Sequence, residues 1–362
     1  MNSIKYLDYL FNPHHKHGRK KIVQVNPTVE SERIEPDESI IYLYEYDHQN
    51  FISRQIKNVE DTFAHFDTPG ITWINVEGLR KNDIEVICTH FGIHTLIMED
   101  ILHLGQRPKM DELNDLVFCT LNMLYYENYS GVEAEQVSIV LGKNFVITFQ
   151  EDASRDVFNV LREKIKIDGS KIRQKGADFL FYSMIDTIVD DYYIVMEKLG
   201  GKMELLEDDI IRNAKKRSLA KINMLRKEMI VLRRSVLPVR DLVNGILKSD
   251  NELIDEQTEK YFKDVYDHSI QASEMADSYR DMMINLQDLY HNNVNLRTNE
   301  AMKVIAIVTS LMAPATVIGG IFGMNFDIIP FSKEPWGFYL PIFFMIFIPL
   351  IMIFIFKKRG WF

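Results

Sequence analysis

The chain has 362 residues, with 42 basic and 52 acidic side chains and a formal net charge of −10. This length accommodates two or more domains with sizeable cores. Proteins that coat nucleic acid are normally basic, so the acidic balance argues against nucleic acid as a partner. The two cysteines, Cys88 and Cys119, each lie within an apolar pattern, which predicts buried free thiols in a reducing compartment.

Residues 1–176 are predicted to form an α/β domain. The N-terminus lacks the uninterrupted apolar core of a secretory signal, so we expect this domain to stay in the cytoplasm. Helical stretches are predicted around NDIEVICTHFG and HTLIMEDIL. Strand-like stretches begin at Ser39, Ile71, Leu116, Gln136 and Phe145. The residues Gly142-Lys143-Asn144 between the last two strands indicate a β-hairpin.

The chain contains none of the common catalytic motifs. It has no phosphate-binding glycine loop, no Gly-x-Ser-x-Gly, no Cys-x-x-Cys and no His-Glu-x-x-His. We therefore predict neither enzyme activity nor an organic cofactor.

Two long helical segments follow. Residues 177–250 are predicted to form an antiparallel helical pair, with a link at Ile211–Lys215. Residues 251–303 are predicted to form a stalk helix that continues into the apolar segment after it, because this region lacks both proline and glycine. Apolar or small residues recur along the stalk at alternating steps of four and three, from Tyr261 through Val265, His268 and Ala272 to Leu296. This spacing is typical of a long helix packed lengthwise against neighbours.

Two C-terminal segments, 304–322 and 338–356, contain no charged residue. Each measures about 29 Å as a helix, which matches the hydrocarbon core of a bilayer. We therefore predict two transmembrane helices. One face of the first carries small, hydroxyl and apolar residues at three- or four-residue steps: Asn299, Met302, Ile305, Thr309, Ala313, Thr316 and Gly320. Periodicity alone leaves two interpretations open for this face, close helix packing and the lining of a narrow pore.

Charge sets the expected orientation. The tail, residues 357–362, contains Lys357, Lys358 and Arg359, which favours the cytoplasmic side. Two spans place both termini on the same side. We therefore expect cytoplasmic termini in the cell (inner) membrane and an outward loop at residues 323–337.

The loop contains Gly323-Met324-Asn325 between the two predicted spans. In this position, the tripeptide resembles the signature of the CorA family of magnesium transporters. Other segments are similar to the family as well: MEDILHLGQRPK, EAEQVSIVLGKNFVITFQE, ADFLFYSMIDTIVDDYY, YFKDVYDH and TNEAMKVI.

The resemblance implies an α+β membrane protein assembled as a funnel-shaped homopentamer. A cytoplasmic α/β domain leads into a long stalk helix, which continues as the first of two transmembrane helices and lines a pore with the face described above. Gly323, Met324 and Asn325 would form the selectivity filter for Mg²⁺, with Co²⁺ and Ni²⁺ as further substrates. An Asn amide hydrogen-bonds the waters of an ion that dehydrates reluctantly, so Asn325 would recognise hydrated Mg²⁺.

The resemblance also implies a regulatory Mg²⁺ site between subunits, made by Asp100 of one subunit and Asp264 of the next. Glu99, Asp186 and His268 match positions in the same neighbourhood. Carboxylates gathered there repel each other unless a divalent cation bridges them. Bound Mg²⁺ would hold the closed state, so the transported ion would inhibit its own passive, potential-driven uptake.

Two residues depart from the family pattern. Phe331 stands where an acidic residue is frequent, which leaves Asp327 and Glu334 as the outer acidic residues. Ala313 replaces a larger apolar residue of the pore. Two alternatives remain: a zinc-transporting relative with the same architecture, and a membrane-anchored metal sensor that does not conduct.

Overall fold

The computed structural model describes residues 35–65, 69–113, 115–127, 130–152, 155, 157–249, 251–324 and 334–361. The described chain divides into two compact units. The first contains the residues up to Leu206 together with Leu219–Leu286. The second contains Glu207–Ser218 and the described residues from Gln287 onward.

A seven-stranded sheet forms the centre of the first unit, with strand order β2-β1-β3-β7-β6-β5-β4. Strands β3 and β7 pair in parallel, and all the other neighbouring pairs are antiparallel. The strands are β1 (Ile40–Tyr46), β2 (Phe51–Ile56), β3 (Ile71–Glu77), β4 (Lys109–Leu113), β5 (Leu116–Glu127), β6 (Gly131–Leu141) and β7 (Phe145–Gln150).

The five predicted strands are all present, and the predicted hairpin joins β6 to β7, where Gly142 donates its N–H to the Phe145 carbonyl at 2.9 Å. Strands β2 and β4 were not predicted. β2 is mostly exposed, and β4 has the sequence KMDEL, so neither carries the run of buried apolar residues that identifies a strand. Both occupy edges of the sheet and are held by pairing with one neighbour.

Seven α-helices are present among the described residues. They are α1 (Lys81–His90), α2 (Thr95–Leu102), α3 (Asn159–Lys166), α4 (Ala177–Asn213), α5 (Lys216–Lys248), α6 (Glu256–Phe322) and α7 (Tyr339–Lys358). Helices α1 and α2 cover one face of the sheet, where Ile84, Ile87 and Ile101 are fully buried in one core with Phe118 and Val140. Cys88 and Cys119 are buried free thiols, as predicted.

Helix α6 is a single helix of 67 residues with an internal proline, Pro314. Within the first unit it lies beside α4 and runs in the same direction. Phe179 contacts Tyr261, and further along a Cβ at Gly200 would come 2.7 Å from the Tyr279 hydroxyl. Helices α4 and α6 therefore stay in contact over several turns.

The buried face of α6 differs in part from the predicted one. Val265, Ala272 and Leu286 are buried as the spacing predicts, whereas Leu296 is 62% exposed. Other buried positions include Phe262, Ser269, Ala276, Met283 and Tyr290, each of which lies one residue from the predicted series. Small residues at 269, 272 and 276 let a neighbouring helix approach closely, which sets the rotation of α6 about its axis.

Candidate functional site

The face of α6 predicted from its three- and four-residue steps is exposed along its whole length. All seven of its residues are exposed: Asn299, Met302, Ile305, Thr309, Ala313, Thr316 and Gly320. The side chains of Met302 and Ile305 are 63% and 66% exposed. A single chain therefore leaves this entire face available to another surface.

A different side of the same segment contacts α7. Ile307 is 7% exposed, and a Cβ at Gly319 would lie 3.5 Å from the Met345 Cε. Just before the charge-free span, the Lys303 Nζ donates to the carbonyl of Gly360, which follows α7, at 3.1 Å. Since α7 covers this side, it cannot also cover the face that contains Met302.

The two threonines of the exposed face have the same internal hydrogen bond. The Thr309 hydroxyl donates to the Ile305 carbonyl at 2.9 Å, and the Thr316 hydroxyl donates to the Met312 carbonyl at 3.0 Å. Each hydroxyl proton is thus used within the helix, and the oxygen lone pairs remain as acceptors. Acceptors of this kind suit a cation or the waters around it.

Helix α6 ends at Phe322, and the Gly323 N–H still bonds the Gly319 carbonyl at 2.9 Å. The carboxyl end of a helix carries partial negative charge, which favours cations just beyond it. Gly323 and Met324 are exposed there, and Glu334, which precedes α7, is also exposed. Asn325 and Asp327 lie outside the described residues.

A second group of polar side chains lies between α4 and α6 in the first unit. Asp186 and Asp190 are one helical turn apart on α4, and His268 faces them from α6. One ligand atom from each of the three lies within 4.8 Å of the others. Two carboxylates and an imidazole are a donor set for a divalent cation.

The surroundings of this group concentrate negative charge. Burial, and next the charge of Asp190, raises the pKa of Asp186, while Tyr182 and His268 oppose the rise and Asp264 adds to it. The Tyr182 hydroxyl donates to Asp186 Oδ2 at 3.2 Å. The His268 Nδ1 is buried and has no hydrogen-bond partner among the described residues. A cation here would relieve the repulsion and bind a ring nitrogen of His268.

The structure thus brings three predicted residues, Asp186, His268 and Asp264, into one neighbourhood. It adds Asp190, which we did not predict as a site residue. The available signal was the four-residue step from Asp186 to Asp190, which places two carboxylates on one helix face. Such pairs are common on solvated helices, and only the position of His268 on a different helix distinguishes this one.

The other two predicted residues, Asp100 and Glu99, lie on α2. The Asp100 carboxylate accepts hydrogen bonds from Lys109 Nζ at 2.6 Å and from Gln106 Nε2 at 3.1 Å. Lys109 also contacts Asp111 at 2.9 Å, and although burial lowers the pKa of Lys109, its two carboxylate partners produce a net rise. Glu99 is exposed. Within one chain, therefore, a lysine already neutralises Asp100.

These features define a class of protein. Helices α6 and α7 are each long and apolar enough to cross a membrane. One of them exposes an uncharged face with hydroxyl acceptors, and the first unit holds a donor set for divalent cations. This combination is that of a membrane protein that handles divalent cations.

Comparison with known proteins specifies the family. Residues 69–358 match the CorA-like Mg²⁺ transporter protein family. This match covers well over half of the chain, so the chain belongs to that family.

Similar proteins are spread over bacteria and archaea. The cobalt/magnesium transport protein CorA of Thermotoga maritima is 36% identical over 323 residues, which are 89% of this chain and 92% of that protein. The putative metal ion transporter YfjQ of Bacillus subtilis is 30% identical over 309 residues, which are 85% of this chain and 95% of that protein. The complete structure of the CorA magnesium transporter from Methanocaldococcus jannaschii aligns with a TM-score of 0.74 at 21% identity, covering 89% of this chain and 99% of that one. The fold is therefore that of CorA.

The geometry at Asp186, Asp190 and His268 leads to a prediction about metal preference. We expect His268→Ala to weaken Co²⁺ binding to the purified full-length protein by about tenfold or more, and Mg²⁺ binding much less. The reason is that imidazole nitrogen suits Co²⁺, whereas Mg²⁺ prefers oxygen. Isothermal titration of both ions measures the difference.

Asp267→Asn is the matched control, since Asp267 precedes His268 in sequence but is exposed and outside the donor set. Equal losses of Co²⁺ and Mg²⁺ affinity in His268→Ala, or the same loss in Asp267→Asn, would contradict a ligand role for His268.

Proposed function

We propose that this protein forms a homopentameric channel for passive uptake of Mg²⁺, with Co²⁺ and Ni²⁺ as further substrates, inhibited by cytoplasmic Mg²⁺ bound between subunits. The observation that carries the proposal is the exposed, uncharged face of α6 from Asn299 to Gly320. The names of the relatives, which include cobalt/magnesium transport proteins, support the choice of ions.

Self-assembly follows from the geometry of the spans. Two helices cannot enclose a water-filled path, so a conducting protein must combine the α6 helices of several copies. The hydroxyl oxygens of Thr309 and Thr316 keep lone pairs as acceptors, and a shared aqueous path would hydrate them. The face that α7 leaves uncovered is the one that would line this path.

No energy source other than the membrane potential is needed. A divalent cation gains about 4.6 kcal/mol for each 100 mV of inside-negative potential, twice the value for a single charge. The sequence has no ATP-binding motif. With both termini in the cytoplasm, the Gly323-Met324-Asn325 loop would meet the ion from outside, and Asp327 and Glu334 would concentrate cations there.

Inhibition by internal Mg²⁺ would act through Asp100 and Asp264. In the isolated chain, Asp100 is paired with Lys109, and Asp264 lies near Asp186. A Mg²⁺ ion that bridges Asp100 to Asp264 of the next subunit must compete with Lys109 for the carboxylate. Lys109 would therefore set how much Mg²⁺ is required to close the channel.

The first prediction concerns transport itself. Protein in liposomes with an internal Mg²⁺ indicator should take up Mg²⁺ faster as an inside-negative potassium diffusion potential is increased, because only the potential drives entry. Asn325→Ala should abolish uptake, and Asn292→Ala, an exposed asparagine of the stalk part of α6, should not.

Each alternative gives a different result in this assay. Uptake that does not depend on the potential would contradict passive flow. Zn²⁺ uptake without Mg²⁺ uptake would identify a zinc transporter, and no flux of any divalent cation would favour the non-conducting sensor.

The second prediction concerns the gate. Rings of Met302 and Ile305 would exclude ions by dewetting, so Met302→Ser and Ile305→Ser should leak at cytoplasmic Mg²⁺ concentrations that close the unmodified channel. Conductance in planar bilayers measures the leak. Val304→Ser is the control, because Val304 is exposed but about 200° around the helix from Met302. A leak in Val304→Ser alone, or in none of the variants, would place the gate elsewhere.

The third prediction concerns the sensor. Asp100→Asn with Asp264→Asn should raise the Mg²⁺ concentration that inhibits uptake by about tenfold or more while transport persists, because two charged ligands are lost. Lys109→Gln should shift that concentration in the opposite direction, because it removes the competitor. Protection of the protein against protease by Mg²⁺ should follow both shifts.

Glu112→Gln with Asp267→Asn is the matched control, since it makes the same charge change at two exposed positions. Inhibition that is unchanged in the Asp100 and Asp264 double variant, or a Lys109→Gln shift of the same sign, would show that other residues sense Mg²⁺.

A further inference from the structure

The turn between α4 and α5 stands in the most basic stretch of this acidic chain. Between Asp209 and Glu228 there is no acidic residue, although the whole chain has a net charge of −10. The basic residues there are Arg212, Lys215, Lys216, Arg217, Lys221, Arg226 and Lys227. We call residues 210–218 the basic tip.

The basic tip belongs to the same compact unit as the membrane-spanning helices, whereas most of α4 and α5 belongs to the first unit. Its inner side is packed, with Ile210, Ala214 and Ser218 at 0%, 7% and 5% exposure. Arg297 of α6 donates to the Ala214 carbonyl at 3.4 Å. This contact fixes the tip at the level of Arg297 along α6.

The outer side of the tip combines charge with apolar surface. Arg212, Lys215 and Lys216 are exposed. The side chain of Ile211 is 57% exposed beside them. Basic residues together with an exposed apolar side chain are typical of segments that bind at a membrane surface.

The tip also lies at the right height for such contact. Seven residues separate Arg297 from Val304, where the charge-free span begins, a rise of about 10 Å. Each polar layer of a bilayer is about 5 to 8 Å thick, and the Debye length at physiological ionic strength is about 8 Å. Extended Lys and Arg side chains at this height reach the headgroups.

We infer that the basic tip binds anionic phospholipid headgroups on the side of the membrane where the stalk enters it, with Arg212, Lys215 and Lys216 as the charge contacts and Ile211 inserted beside them. This contact would attach the α4–α5 hairpin to the membrane independently of any ion in the pore. Each basic residue near an anionic surface raises the equilibrium constant for membrane binding by about fivefold.

The experiment uses full-length protein reconstituted in liposomes and a spin label on Asn213→Cys. Asn213 is exposed at the end of α4, whereas Cys88 and Cys119 are 2% and 0% exposed, so the label reports the tip. A small fraction of nickel-chelating lipid makes the relaxation of the label a measure of its proximity to the headgroups. Liposomes of phosphatidylcholine alone are compared with liposomes that also contain phosphatidylglycerol.

We expect stronger relaxation with phosphatidylglycerol than without it, and loss of the difference at high salt. Arg212→Gln with Lys215→Gln and Lys216→Gln should abolish the difference, and Ile211→Ser should reduce it. The control, Lys57→Gln with Lys81→Gln and Lys164→Gln, makes the same charge change at exposed positions of the first unit and should keep it.

Equal relaxation in the two lipid compositions would overturn the inference. So would a difference that survives in the triple glutamine variant of the tip, or one that the control variant loses equally. A tip that is shielded from the headgroups in both compositions would indicate instead that it contacts protein, such as the acidic end of α4 in another copy. None of these readouts requires ion flux, so they do not depend on the proposed function.

Discussion

The hydrocarbon core of a bilayer offers no hydrogen bonds, and this constraint governs how the two apolar helices are used. Helix α7 is apolar all round and can face lipid, whereas α6 carries Thr309, Thr316 and two glycines on or beside a face that α7 does not cover. Both hydroxyls bond carbonyls of the same helix, and their remaining lone pairs can accept hydrogen bonds from water or from another protein surface. The proposed assembly of several copies, and with it the proposed path for the ion, rests on the side of α6 that α7 leaves open.

The same helix contributes to the donor group in the first unit. His268 lies on α6, while Asp186 and Asp190 lie on α4, so an ion bound to all three would tie the two helices together. Burial, and next the charge of Asp190, raises the pKa of Asp186, and a divalent cation bound here would relieve the repulsion between the two carboxylates. Under the proposed regulation, ion binding here and the packing of α6 would be linked through the same side chains.

Several parts of the fold and site were predictable from sequence because they depend on local pattern. The absence of helix breakers predicted α6, and the charge-free lengths predicted the two spans, since both depend only on the order of residues along the chain. Strands β2 and β4 could not be predicted in this way, because pairing with one neighbour holds them and they bury little apolar surface. The exact face of α6 that packs was also missed, since its rotation depends on the surface of α4.

The sequence by itself determined the membrane anchoring, the continuous stalk and the residue types available to bind ions, because these follow from composition and spacing. Only the tertiary structure decided which of those residues meet. It placed His268 beside Asp186 and Asp190 and paired Asp100 with Lys109. It also placed the basic tip beside Arg297, near the start of the first span. Each of these contacts joins separate elements of the chain, so the packing of those elements fixes it and residue spacing does not.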